Sequence, residues 1–168
     1  MSAGLSTLVQ TAGASIVHFS GGGGRIVPGT ANGGDLAIGL IVTIFGETTS
    51  DYDLCGVNEM PTGVVYGQAN VPIDLSYDPD SPFDDNTELR IRLPGYNEEI
   101  WLISAPSVAI ARGAPIGVDA SNPGYVSSWA YTNATQATDC LLSVVGQALQ
   151  TITAVASKYK GILARWRA

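Results

Sequence analysis

Ala111-Arg112-Gly113-Ala114-Pro115-Ile116-Gly117-Val118-Asp119-Ala120-Ser121-Asn122-Pro123-Gly124-Tyr125-Val126 reads as two short strands joined by a tight turn. Ile116 and Val118 alternate with small residues, the spacing of a half-buried strand. Arg112-Gly113 breaks the chain before the strand, and Asn122-Pro123-Gly124 breaks it again after. Pro115 cannot donate a ladder hydrogen bond, so it belongs at a strand start or on an edge. The stretch holds no cluster of acids, bases or ligands. It predicts a chain built from short strands, turns and small residues, with shape rather than chemistry as its product.

The composition agrees. A chain of 168 residues suits one domain and can bury about 70% of its unfolded surface. Hydrophobic residues make up 45% and charged residues only 14%, with 20 Gly and 9 Pro, a balance that favours β structure with many turns over a helix bundle. The net charge of −7 disfavours direct contact with nucleic acid, which needs a basic patch. The first residues have neither a positive leader region nor a long apolar core, so no signal peptide or membrane span is expected. Cys55 and Cys140 lie far apart, and their pairing is left open by the sequence. With His18 as the only histidine, they cannot complete a Cys/His zinc site. No Gly-x-Ser-x-Gly elbow accompanies that histidine, so no catalytic residue, cofactor site or metal site is expected.

Residues 1–34 are small, polar and glycine-rich, including the run Gly21 to Gly24. They read as an extended arm on a β domain over 35–168. The glycine run is not a phosphate loop, because Arg25-Ile26-Val27-Pro28 follows instead of Gly-Lys-Ser/Thr and a helix. The apolar residues of the arm, Ile16, Val17, Phe19, Ile26 and Val27, are its candidate partner contacts. Leu36 to Phe45 reads as one long buried strand. Glu47 to Asp51 reads as a loop, and Cys55–Val57 with Gly63–Gly67 as strand. Val71 to Tyr77 alternates as a further strand. The acidic loop 78–86 lacks the glycine and glutamate of an EF-hand; a solvated turn is favoured over a calcium site, and the choice stays open.

Thr87-Glu88-Leu89-Arg90-Ile91-Arg92-Leu93 alternates most clearly, and Pro94-Gly95-Tyr96-Asn97 turns it towards Glu98 to Ser104, so the pair reads as a hairpin with Glu facing Arg90 or Arg92. Glu98 and Glu99, adjacent on a strand, point to opposite faces and cannot act as a carboxylate pair. Ser107 to Ala111 reads as another short strand. Tyr125, Trp129 and Tyr131 share one face with Ser127; without interleaved Lys or Arg, this aromatic face points to packing or a protein interface. Thr138 to Ala156 fits a helix by spacing, but Gly146 and frequent Val, Thr and Ile favour strand over Ser143–Ile152. Gly161 to Arg167 closes the chain as a strand.

The phrase Ala111-Arg112-Gly113-Ala114-Pro115-Ile116-Gly117-Val118-Asp119, then Val144-Val145-Gly146-Gln147-Ala148-Leu149-Gln150-Thr151, then Lys160-Gly161-Ile162-Leu163-Ala164-Arg165-Trp166 resembles the head decoration, or capsid cement, proteins of tailed bacteriophages. The resemblance covers mainly residues 107–167. It implies a small β-barrel or β-tulip-like domain with a Gly-rich N-terminal arm, strand rather than helix at 143–152, and a homotrimer on the outer capsid surface. The arm would lie along the major capsid protein. The implied location is the virion, with synthesis in the host cytoplasm and no membrane or nucleic-acid partner. The loops 46–62 and 78–86 and the stretch 132–140 depart from the family pattern. A tail or fibre component and a carbohydrate-binding surface module are the alternative readings.

Overall fold

The computed structural model describes residues 23–45, 50–70, 82–129, 143–156 and 158–168. The described chain is all β. Its strands are β1 (Arg25–Ala31), β2 (Ile41–Ile44), β3 (Asp51–Leu54), β4 (Gly63–Gln68), β5 (Glu88–Leu93), β6 (Glu99–Ile103), β7 (Pro115–Val118), β8 (Val126–Ser128), β9 (Val144–Ala148) and β10 (Gly161–Trp166). The first five close into a barrel in the order β1-β3-β2-β4-β5, and the last five form a sheet in the order β6-β10-β9-β7-β8.

These two halves are the same unit built twice. In the first, β1 runs antiparallel to β5 and parallel to β3. In the second, β6 runs antiparallel to β10 and meets β8 through a parallel bridge at Ser104 and Val126. The strands between follow in matching order and direction. The turns match as well. Gly39 donates to the Val65 carbonyl at 2.9 Å, Leu40 to Ala37 at 3.1 Å and Val65 to Leu40 at 3.0 Å; Gly113 donates to Ala148 at 2.8 Å, Ala114 to Ala111 at 3.1 Å and Ala148 to Ala114 at 3.0 Å. Gly39 and Gly113 hold φ of 88° and 84°, a left-handed conformation that a Cβ would strain. The phrase at 111–119 thus has a counterpart in Ala37-Ile38-Gly39-Leu40-Ile41-Val42-Thr43-Ile44-Phe45.

The cores correspond residue by residue. Leu36, Val42, Tyr52, Val65, Leu89 and Ile91 fill the first unit. Their register counterparts Ile110, Ile116, Val126, Ala148, Ile162 and Ala164 fill the second. All twelve are buried, and each large apolar side chain removed from water contributes about 1.5–3 kcal/mol. Gly63 and Gly146 also correspond. A Cβ on Gly63 would lie 2.7 Å from the Arg92 carbonyl oxygen, and one on Gly146 would collide with the Arg165 carbonyl. Alanine at either glycine should destabilise the fold by about 1–3 kcal/mol, the cost of overpacking, with Gly146→Ala the worse. Urea titration of the two variants checks this, and a neutral Gly146→Ala would contradict it.

Several expectations change. The apolar run Leu36–Phe45 is not one strand: Gly39 turns the chain, and only Ile41–Ile44 pairs. Leu36, Ala37 and Leu40 are nonetheless buried, so the run reported burial rather than extension. Strand β3 lies one step earlier than the predicted Cys55–Val57. The predicted hairpin of 87–93 with 98–104 does not form. Strand β5 is already hydrogen-bonded on both sides, by β1 and β4, so the turn at Pro94–Asn97 hands β6 to the other sheet. Ser107–Ala111 contributes only a bridge between Ile110 and Ile152, because Ser107 sits at φ 61° and breaks the extended backbone. The strand reading at 143–152 holds for Val144–Ala148, and the closing strand holds for Gly161–Trp166. Of the expected arm 1–34, Arg25–Ala31 instead pairs along its whole length with β5 or β3, and residues 1–22 lie outside the described residues. The strand predicted at 71–77 lies outside the described residues.

Candidate interaction surfaces

The junction between the units is built on a buried ion pair. Glu98 is fully buried and Arg92 nearly so. Arg92 donates to Glu98 Oε1 from Nε at 2.9 Å and again from its terminal nitrogen. The other carboxylate oxygen, Oε2, accepts from the amides of Gly95 at 2.8 Å and Gly24 at 3.2 Å. Every acceptor site on the carboxylate faces a donor, the condition under which a buried charge is tolerated. The Glu–Arg pairing expected across a hairpin therefore exists, but as a clasp that ties the start of β1 to the passage from β5 to β6. Glu99 points away, as the strand geometry requires, and pairs with Arg165 at 3.2 Å in a half-exposed setting.

The aromatic face is partly consumed by packing. Val126 is buried while Tyr125, Ser127 and Trp129 are half-buried on the alternate positions, the expected period of two. Tyr125 lies 6.1 Å from Tyr159, ring to ring, and packs against the cluster of Ala37, Leu40 and Ile103. Trp129 covers Gly117, where a Cβ would come within 2.8 Å of the indole. Tyr131 lies outside the described residues, as do Ile16, Val17 and Phe19. Of the remaining predicted contacts, Val27 packs against the first core, whereas Ile26 is 44% exposed.

The larger apolar exposure is one the sequence reading missed. Ile44, Phe45 and Met60 are all exposed, at the end of β2 and the approach to β4, where Thr43 Oγ1 donates to the Met60 carbonyl at 3.1 Å. In sequence Ile44 and Phe45 close an apolar run, and nothing there separates the members that point inward from those left outside. A second feature without a sequence signal is a cleft of about 200 Å³ lined by Pro28, Gly29, Thr30, Ser50, Ala69 and Glu88, with Leu89 at its floor.

Among the described residues no group of three or more His, Cys, Asp or Glu is placed to hold a metal ion. In the described part of the acidic loop, Asp85 accepts from its neighbour Asn86 Nδ2 at 2.9 Å and from the distant Gly33 amide at 2.8 Å, which ties the loop to the turn after β1. Partial burial, and after it the neighbouring Asp53 charge, raises the Asp35 pKa from the ordinary aspartate value. Cys55 is a free, buried thiol, and burial followed by the Glu59 charge pushes its pKa to about 12. It is therefore protonated and unreactive at neutral pH. Cys140 lies outside the described residues.

No family model matches the chain, and no curated protein matches it.

Proposed function

We propose that the chain is a structural protein that decorates the outer surface of a viral capsid, bridging major capsid protein subunits as a homotrimer. The reading rests on the resemblance over residues 107–167. The observation that carries it further is an all-β body that leaves Ile26, Ile44, Phe45 and Met60 exposed. Ile44 ends β2, Phe45 follows it, and the Met60 carbonyl accepts from Thr43 just before them; exposed apolar residues gathered in this way mark candidate contact surfaces. The segment before Gly23 enters the body at Gly24, whose amide is held by the buried Glu98, so tension on that segment is borne by the clasp between the units. A protein that binds only the assembled lattice stabilises it by linkage, and symmetry multiplies weak single contacts.

The test is co-sedimentation with capsids of the full chain and of a chain beginning at Gly23, which keeps β1 intact. The full chain should bind, and loss of residues 1–22 should weaken binding on the order of a hundredfold, the scale of a lost second attachment. Equal binding by both forms would remove the arm from the reading, and no binding by either would remove the capsid.

A further inference from the structure

The first barrel closes on a short seam. Strand β1 meets β3 through two residue pairs, Thr30 with Asp51 and Ala31 with Tyr52. The chain then turns at Asn32-Gly33-Gly34-Asp35, and this turn extends the seam beyond the strands. The Asn32 amide donates to the Tyr52 carbonyl at 2.8 Å, and the Ala31 carbonyl accepts from the Asn86 amide at 2.9 Å. Asn32 Nδ2 donates to Asp53 Oδ2 at 3.3 Å. The Gly33 amide donates to Asp85 Oδ1 at 2.8 Å. One turn thus ties β1 to β3 and to the loop before β5.

Asn32-Gly33 is also the one Asn-Gly step in the sequence. Such a step is the most open to attack by the main chain on its own side chain, because glycine does not shield its amide. The Gly33 nitrogen, having lost its proton to hydroxide, would bond to Asn32 Cγ. The side-chain nitrogen takes a proton from water and leaves as ammonia, and a succinimide remains. Water then opens that ring at either carbonyl, leaving aspartate or isoaspartate.

In this fold both reacting groups are held. The proton that the attacking nitrogen must lose lies on Asp85, and the leaving nitrogen lies on Asp53. The attack places negative charge first on the Gly33 nitrogen and then on Asn32 Oδ1, and two carboxylates at this range oppose it. Asp35, in the same turn, is close enough to Asp53 for their charges to be felt. We propose that Asn32 is a latent deamidation site, kept intact by Asp53 and Asp85 while the seam is closed and modified when the seam opens. Local opening of this kind is ordinarily reversible; the reaction makes it permanent. A carboxylate at position 32 has no hydrogen to give Asp53 and adds charge beside Asp35, Asp53 and Asp85. Isoaspartate also lengthens the main chain by a methylene next to the bond with Tyr52. The inference is independent of the capsid reading.

Peptide mapping and an isoaspartate assay, on the full chain held at mildly alkaline pH in buffer and in urea, test it. In urea Asn32 should be the first asparagine converted. In buffer its conversion should be about tenfold slower or more, since several hydrogen bonds must open first. Asp85→Ala, at an exposed position, should raise the rate in buffer about tenfold, the scale of one hydrogen bond to a charged group, and leave the rate in urea unchanged. Asn32→Asp, which builds in the product, should lower the melting temperature by about 2–4 °C. Circular dichroism confirms that both variants fold. Another asparagine converting first in urea, conversion in buffer as fast as in urea, an Asp85→Ala rate equal to the parent's, or an Asn32→Asp chain that melts with the parent would each overturn the proposal.

Discussion

Replacing Trp166 with alanine should cost about 3–5 kcal/mol, the range for a large aromatic removed from a core that cannot collapse. A domain of this size is stable by only about 5–15 kcal/mol, so the variant should be near or past its unfolding midpoint at 37 °C. The indole is 1% exposed and donates to the Ala168 carbonyl at 2.9 Å. Its size compensates for its neighbours. Where the first unit has Val65 and Ile91, the second has Ala148 and Ala164, and Trp166 belongs to the same cluster. Trp166 also anchors backbone: its amide bonds Glu98 at 2.8 Å and its carbonyl accepts from Asn97 at 2.9 Å. Urea unfolding followed by fluorescence of the remaining Trp101 and Trp129 provides the measurement. Trp166→Phe should lose clearly less, and a loss below about 1 kcal/mol for the alanine variant would mean that the second core is not filled in this way.

Replacing Glu98 with alanine should be comparably severe, about 3–5 kcal/mol, because it breaks a buried ion pair by removing the carboxylate that bonds the Arg92 guanidinium twice. The amides of Gly24 and Gly95 lose their acceptor in the same step. A double replacement by apolar residues of similar volume, Arg92→Met with Glu98→Leu, should recover much of the loss, since the pair is costly to break and less costly to remove whole. Glu99→Ala is the control. Its partner Arg165 is half-exposed, and surface pairs contribute about 0–1 kcal/mol. Thermal melting of the three variants separates these outcomes. Equal losses at Glu98 and Glu99 would show that the clasp is not what ties the units together.

Much of the fold is legible in the sequence, and the errors have identifiable causes. The alternation of Leu89, Ile91 and Leu93 places β5 correctly because one face is buried and the pleat has a period of two. The β7–β8 hairpin follows from Ile116 and Val118 and the break at Asn122-Pro123-Gly124. The false hairpin between β5 and β6 arises from reading two good strands and a good turn as neighbours, when each strand finds its partners at a distance. Strand β1 was read as part of the arm because Arg25-Ile26-Val27-Pro28-Gly29 lacks a clear alternation and its pairing is supplied entirely by β5. The repeat was missed because its counterparts share positions more than identities. Cys55 answers to Trp129 and Ile41 to Pro115, while the shared glycines, Gly39 with Gly113 and Gly63 with Gly146, are single residues among many. The exposed Ile44, Phe45 and Met60, and the cleft at Thr30 and Ser50, depend on tertiary placement and leave no pattern in the chain.

The pairing of Arg25 with Leu93 and of Ile103 with Gly161 has a kinetic consequence. In each unit the first strand is bonded to the last, so the ladder cannot be completed until the whole unit has been made and its ends have met. The entropy of closing that loop must be lost before most of the pairing is gained, which places the chain among slow-folding, non-local topologies. On the ribosome β1 must wait for β5. Until β5 emerges, the edge it will occupy stays open, and Pro28, which cannot donate to an incoming strand, stands within the waiting segment as a guard against the wrong neighbour.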